Sequence, residues 1–493
     1  MGKLKKITTL CFAIVFHNIY AQNISQLSNG NYNPLHSLQL NPSLNSFTSI
    51  KWQVNVAGFW VNANNNYLSL RLPYSAYRVP NNIPLHYQTE SGNPKFDKSW
   101  MHENLNGKSK QLSIASDVYG PGFYIKLKHN WGIGLVTLGN VQLRGHKLSE
   151  NLAHALFKEL DSSQAAFSLF NKSISANNQI DAITLSANSR AQLVFNLSKK
   201  IELDHQRQLS FGISIKKQWG FNGAYYHQSE INTINLNHDS ILIKPMNATF
   251  ISYGDKIGKG WGTDIGATYL FKKKAFKQNG NYKKLHPDYH SKIGFAILDI
   301  GKINYQNAEV RTLNTNSDVI LQNDNNFRND LDNSDYEKII DSVFQSIGHY
   351  SESNRNINIG LPSRISVSSD FQLGKHYFIS TVLVQSLRKK SSIHHRYQSY
   401  LMASPRYETR YFEISLPVLL EYNYRGLRIG TSLRFGPLYI GSNNLYSFIN
   451  TRNIKDVDLF AGINFSDFSG LKLGLKNKKS KAKKNGPLKC FNF

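Results

Sequence analysis

"YFEISLPVLLEYNYRGLRIGTSLRFGPLYIGSNNL", residues 411 to 445, separates into two interleaved rows of side chains. Phe412, Ile414, Leu416, Val418, Leu420, Tyr422 and Tyr424 form an apolar row, and Tyr411, Glu413, Ser415, Pro417, Leu419, Glu421 and Asn423 a more polar one. A strict period of two belongs to a β-strand, whose successive side chains point to opposite faces. Beyond Arg425-Gly426 the alternation resumes, with Leu427, Ile429, Thr431, Leu433 and Phe435 opposite Arg428, Gly430, Ser432, Arg434 and Gly436. The solvent that the apolar row faces decides the fold. Strands of a soluble sandwich run about five or six residues, and this row is longer. About thirteen residues at roughly 3.3 Å each span roughly 40 Å, and a tilt near 45° reduces this to roughly 28 Å, close to the thickness of a bilayer hydrocarbon core. Aromatic residues mark both ends of the row, as in strands of barrels that cross a membrane. The polar row then lines a lumen.

The rest of the chain agrees with such a barrel. Residues 1 to 21 carry Lys3, Lys5 and Lys6, the apolar run "LCFAIVF" and "IYA" before Gln22, the pattern of a secretory signal peptide cleaved after Ala21. No later stretch offers the roughly 18 uninterrupted apolar residues of a membrane helix, so a membrane crossing has to be made by strands. Cys11 leaves with the signal, and Cys490 alone cannot form an internal disulfide. The chain carries 58 basic and 32 acidic residues, and removal of three lysines with the signal leaves a net charge of +23. In an exported chain that balance points to outer-membrane lipid and phosphate-rich lipopolysaccharide, or to an acidic periplasmic partner, and no nucleic acid is expected. A hydrophobic fraction of 40% and a mean hydropathy of −0.40 look polar for a membrane protein. They suit a barrel, because half of each strand faces the lumen.

Residues 22 to 50 lack strand alternation and hold turn-forming Asn33-Pro34 and Asn41-Pro42. Strand-like runs follow at 51–61, 66–73, 110–118, 121–129, 131–144, 181–188, 190–201, 208–217, 261–272, 291–300, 362–371, 375–387, 409–424, 426–436, 456–466 and 469–476. The expected fold is all-β, a transmembrane antiparallel barrel of about 14 strands (range about 12 to 18) over residues 51 to 476, followed by a basic tail at 477 to 493. Long polar excursions fall at 74–109, 145–180, 218–260, 273–289, 314–358 and 388–406. Two carry helix signals: "SENLAHALFKEL" from Ser149, and "SDYEKIIDSVFQSIG", where Ser334 and Glu337 form a capping box.

Catalytic signals are weak. Asp288 with His290, and His394-His395 near Glu408, are ordinary loop residues in sequence. No zinc-protease, paired-cysteine, nucleophile-elbow or phosphate-loop pattern is present, and "GDKIGKGWG" at 254 to 262 lacks the spacing of the last. No enzyme, metal site or cofactor is expected. Candidate ligand-binding or gating residues are Asn41 and Pro42, at a turn against the barrel wall, and the lumen-facing charges Glu413, Glu421, Arg428 and Arg434. A two-residue turn at Arg425-Gly426 predicts Tyr424 opposite Leu427, Tyr422 opposite Ile429, and Glu421 opposite Gly430 and diagonal to Arg428, within ion-pair reach. A wet lumen would also accept a charge at Ser432.

"LPVLLEYNYRGLRIGTSLRFGPLYIGSNNL", "QLNPSL", "GKGWGTDIGATYLF", "KIGFAILDIGKINY" and "LPSRISVSSDFQLGKHYFIS", spread over most of the mature chain, resemble an uncharacterised family of Bacteroidota outer-membrane barrel proteins. Asn41-Pro42-Ser43 is similar to the Asn-Pro-Ala step near the N-terminus of FadL-type hydrophobic-compound transporters and the related PorV barrels, with Ser in the third place. The resemblance implies the fold and an outer-membrane location. The resulting expectation is a FadL-like channel or transporter for a small solute, hydrophobic compounds included, gated by an N-terminal luminal segment. Leu35, Leu38, Leu40, Leu44 and Phe47 are too many apolar residues for a solvated tether, which favours residues 22 to 50 in the lumen as a partial plug over a flexible or externally packed terminus. The alternative is a non-transporting interaction barrel in a surface assembly such as type nine secretion or gliding machinery, with an outer-membrane enzyme third.

Overall fold

The computed structural model describes residues 25–74, 97–148, 183–229, 247–273, 289–314, 350–421, 426–449 and 453–467, with short pieces of the connections between them. The expected signal peptide, the strand at 469–476, the basic tail and the helix at 334–348 lie outside the described residues, as does most of the helix from Ser149.

The wall is a closed antiparallel barrel of 14 strands, each hydrogen-bonded to the next in sequence and the last to the first. They are β1 (Trp52–Asn65), β2 (Lys110–Lys126), β3 (Trp131–Leu148), β4 (Ile183–Glu202), β5 (Arg207–Ser229), β6 (Asn247–Tyr253 and Gly258–Phe271), β7 (Ser291–Asn314), β8 (Tyr350–Gly360 and Arg364–Gln372), β9 (Tyr377–Ser386), β10 (Tyr400–Glu408), β11 (Phe412–Ser415 and Val418–Glu421), β12 (Gly426–Ile429 and Thr431–Phe435), β13 (Leu438–Ser442) and β14 (Asp456–Ser466). Closure leaves no unpaired edge, the condition for a sheet to sit in lipid. No described helix is long and apolar enough to cross a membrane.

Alternation sorts the side chains as the sequence requires. Val54, Val141, Phe195, Ile213, Ile265, Phe295, Leu416, Val418 and Leu433 are exposed on the outer face, while Asn55, Gln142, Asn196, Ser214, Asp264, Ser366, Glu413 and Ser432 are buried on the inner one. Trp52, Trp131, Phe271, Phe371, Tyr377, Tyr411 and Phe435 are exposed at the end of the barrel that carries the short connections. Barrels that cross a membrane carry such aromatic rims at their lipid interfaces. Lys199 caps the ring of Trp131 at 4.6 Å, a cation over an aromatic face at that rim.

The hairpin of β11 and β12 has its faces as expected and its register shifted. Val418 lies opposite Ile429, Leu420 opposite Leu427 and Glu421 opposite Gly426, so the connection spans residues 422–425 rather than a two-residue turn at Arg425-Gly426. Tyr424 takes φ 68°, the left-handed conformation that the longer turn demands. The shift is an even number of residues, so every side chain keeps its face. Glu421 remains diagonal to Arg428, and the two form the expected ion pair at 3.0 Å. Ser432 faces inward as expected and is completely buried, sharing a 2.5 Å hydrogen bond with Ser415 that an introduced charge would displace.

Other differences come from irregular strands. The runs expected at 110–118 and 121–129 are one strand, as are 181–188 and 190–201, each continuing through a bulge, at Tyr119/Gly122 and Asn188/Arg190. Tyr400–Glu408 is a wall strand where most of the run was expected as a connection, and Leu438–Ser442 is one where no strand was expected.

Candidate functional site

Residues 25 to 50 lie within the ring of lumen-facing side chains. Two short helical turns, α1 (Ser25–Ser28) and α2 (Pro34–Ser37), and a 3-10 turn at Leu44–Phe47 make up the segment. Pro34 begins α2, where its missing N–H costs nothing. Leu35 and Leu38 join a buried cluster with Trp60, Tyr119 and Phe460, while Leu40 and Leu44 join Val382, Met402 and Leu419. Burying these four leucines contributes roughly 6 to 12 kcal/mol before ordering entropy is subtracted. Phe47 is half-buried against Leu270, Tyr289 and Phe378.

Single polar contacts fix the segment's position. Asn41 and Pro42 do form a turn at the wall: Asn41 Nδ2 donates to the Ala267 carbonyl at 3.1 Å and to Thr268 at 3.2 Å, and Asn41 Oδ1 accepts from Ser43 N at 2.9 Å. Asn196 Nδ2 donates to the Pro42 carbonyl at 3.2 Å. Gly212 on β5 makes room for this turn, because a Cβ there would collide with the Pro42 backbone. Further on, Asn45 bonds Asn196 at 3.1 Å and Ser46 bonds Ser210 at 2.6 Å. His36 is buried, with Nε2 accepting from Asn464 at 3.0 Å and the ring edge-on to Tyr119 and Tyr439. Burial pushes its imidazole down to about 3 from an ordinary value of 6.5.

Buried charges hold the other side of the segment. Arg406 donates to Glu408 at 2.9 Å and to Asp370 at 3.2 Å, and Lys292 pairs with Asp370 at 3.2 Å. Asn31 donates its backbone N–H and its Nδ2 to Glu408 at 2.7 and 2.9 Å, and Lys292 reaches Asn31 Oδ1 at 3.0 Å. Glu413 pairs with Arg434 at 3.1 Å and accepts from Asn33 at 3.3 Å, while the Arg434 guanidinium lies 5.3 Å from the Tyr32 ring centre. Nearer mid-barrel, Lys216 bridges Asp264 and Asp299 at 2.8 and 2.6 Å, Asp299 also binds Arg364, and Arg364 donates to the Gln39 carbonyl at 3.1 Å.

The six residues expected from sequence therefore fall in three places. Asn41 and Pro42 meet β4, β5 and β6; Glu413 and Arg434 meet the segment near Asn33; Glu421 and Arg428 pair with each other and, through Arg428, with Asp456 at 2.6 Å. No described contact joins the last pair to the segment. Asn31, Arg406, Asp370 and Lys292 were missed, and Glu408 was weighed only beside His394-His395, although Ser366, Ser368, Asp370 and Gln372 already form a polar row by alternation. Of the catalytic candidates, Asp288 lies outside the described residues, and no described contact joins Glu408 to His394 or His395. His395 instead bonds Asn188 at 2.7 Å. Among the described residues no group of three metal-binding side chains converges.

The profile of the Family of unknown function (DUF5723) matches residues 42–443. No protein of curated function matches the chain. Among solved structures, a deletion mutant of the monoaromatic hydrocarbon channel TodX is 10% identical with a TM-score of 0.41, covering 87% of this chain and 94% of its own. A Pseudomonas aeruginosa FadL homologue is 10% identical with a TM-score of 0.39, covering 91% and 98%. The Ralstonia pickettii toluene transporter TbuX is 8% identical with a TM-score of 0.39, covering 87% and 93%. Likeness at this level transfers neither a solute nor a site to this chain.

Proposed function

We propose a channel function for this chain, which belongs to the DUF5723 family: an outer-membrane barrel that passes a small solute, with its lumen closed by the N-terminal segment. One observation carries the reading. The segment is seated by polar contacts with wall side chains, such as Asn31 to Glu408, Asn41 to Thr268 and Ser46 to Ser210, which water can replace when the segment leaves. The wall does not depend on the segment for backbone pairing, because its ladder closes on itself. An outer-membrane setting is supported by the lipid-facing belt and aromatic rim, and contact with outer-membrane lipid and lipopolysaccharide by the basic balance of the chain.

The lining favours a polar solute over the hydrophobic one expected from sequence. Asn196, Ser214, Gln218, Ser366 and Arg364 face inward, and the apolar clusters beside them are occupied by the segment's own leucines. Deleting residues 24 to 46 and recording the folded variant in planar bilayers tests the channel. Raised conductance over the full chain is expected, and unchanged conductance would defeat the gating role. A second reading is a non-transporting interaction barrel docked to a periplasmic or secretion-machinery protein. It draws on the connection at 387–399, which also bonds inward-facing residues: Gln142 donates to the Arg396 carbonyl at 3.1 Å and Tyr225 to the Ser391 carbonyl at 2.6 Å. A lumen occupied at two levels suits a scaffold, and a silent deletion variant would favour that reading.

A further inference from the structure

At the end of the barrel opposite the short connections, the 387–399 connection and strands β1 to β4 enclose a small open pocket. Arg144, His146, Lys390 and Arg396 line it, together with neutral donors such as Thr184 and Gln398, and no aspartate or glutamate is among its described lining residues.

The pocket's donors are fixed and partly unsatisfied. Arg144 Nη2 donates to the His394 carbonyl at 3.3 Å, while its Nε is buried with no hydrogen-bond partner among the described residues. Gln398 Nε2 is likewise buried and unpartnered. Arg396 is anchored through its Nε to the Arg388 carbonyl at 3.0 Å, and its own carbonyl accepts from Gln142 at 3.1 Å. Buried donors without acceptors are costly, and like charges gathered in a concave, partly desolvated site raise that cost. An oxyanion relieves both, because Arg presents planar donors matched to its oxygens.

We propose that this pocket binds a small oxyanion, a phosphate or carboxylate group, with Arg144, Lys390 and Arg396 as the charged contacts and Gln398 as a neutral donor. The site stands on the pocket alone and holds whether or not the N-terminal segment moves. The oxyanion is carried either by a free solute entering the lumen or by a lipid headgroup.

The test is calorimetric titration of the full chain, in nanodiscs of zwitterionic lipid, with inorganic phosphate. Saturable one-to-one binding is expected, weakened about tenfold or more by Arg144→Gln, the loss of one charge-assisted contact. Lys390→Gln, in the connection rather than the wall, is expected to weaken binding similarly and guards against a folding defect in the first variant. Lys128→Gln, which removes the same charge from a short connection at the other end, is expected to leave it unchanged. Lipid A added to the nanodiscs separates the sources: unchanged phosphate affinity assigns the site to a free anion, and competition assigns it to a headgroup phosphate. Absence of saturable binding up to about 10 mM phosphate, or equal affinity in Arg144→Gln, Lys390→Gln and the full chain, would overturn the proposal.

Discussion

Acidification is expected to loosen the N-terminal segment through His36. The imidazole is neutral in the folded chain, since Nε2 accepts from Asn464 Nδ2 and the ring sits between Tyr119 and Tyr439. A second proton would place two donors face to face in a pocket with no carboxylate bonded to the ring. The folded value of about 3 lies below the ordinary 6.5. Stability from this group is therefore whole above pH 6.5 and falls as pH drops toward 3, because the released state binds the extra proton. The loss is about 1.4 kcal/mol per pH unit, so near pH 4.5 it amounts to roughly 2.7 kcal/mol, about a hundredfold in the population of the released segment. Single-channel recording in planar bilayers from pH 7 to 4.5 reads that population as open probability. His36→Gln keeps an acceptor for Asn464 without a titrating group, and its open probability should stay flat where the full chain's rises. Equal profiles for the two would refute the reasoning, because the acid response would then come from other groups.

Val418→Arg places a charge on the lipid face and should lower the folding free energy in lipid vesicles by about 2 to 4 kcal/mol, read by urea titration; a loss below about 1 kcal/mol would speak against lipid at that face. Glu408→Gln leaves Arg406 short of one carboxylate and weakens the Asn31 contacts, with an expected loss of about 3 kcal/mol in the same assay. Gly212→Val collides with the Pro42 backbone, so conductance should rise while the barrel still folds; wild-type conductance would mean that the turn does not seat the segment there.

How far the sequence reached depended on range. Period-two alternation is local, so the two faces of β11 and β12 and the inward direction of Glu413, Glu421, Arg428 and Arg434 could be read directly. Even the Glu421 and Arg428 pair survived a wrong register, since both turns leave those residues diagonal. Register itself was not legible, because a four-residue turn with Tyr424 in the left-handed region carries no glycine or asparagine signal at that position. Bulges at Tyr119/Gly122 and Asn188/Arg190 shift the alternation by a residue and make one strand read as two. Tyr400–Glu408 escaped because Pro405 interrupts it and Tyr400 and Met402 face inward, giving no clean polar row. The seat of the segment was the least accessible feature, since Asn31 and Glu408 are 377 residues apart and only barrel closure brings them together.

The central claim, that the N-terminal segment must leave the wall for the lumen to open, is tested most directly by locking it there reversibly. Ser46 and Ser210 have hydroxyl oxygens 2.6 Å apart, one on the segment and one on β5. In a chain with Cys490→Ser, the pair Ser46→Cys and Ser210→Cys can be oxidised to a disulfide at neutral pH beforehand and reduced by a water-soluble phosphine, which acts without a thiolate, during a bilayer recording near pH 4.5. The account predicts a silent barrel when oxidised and openings that return on reduction. Equal conductance in the two states would contradict it.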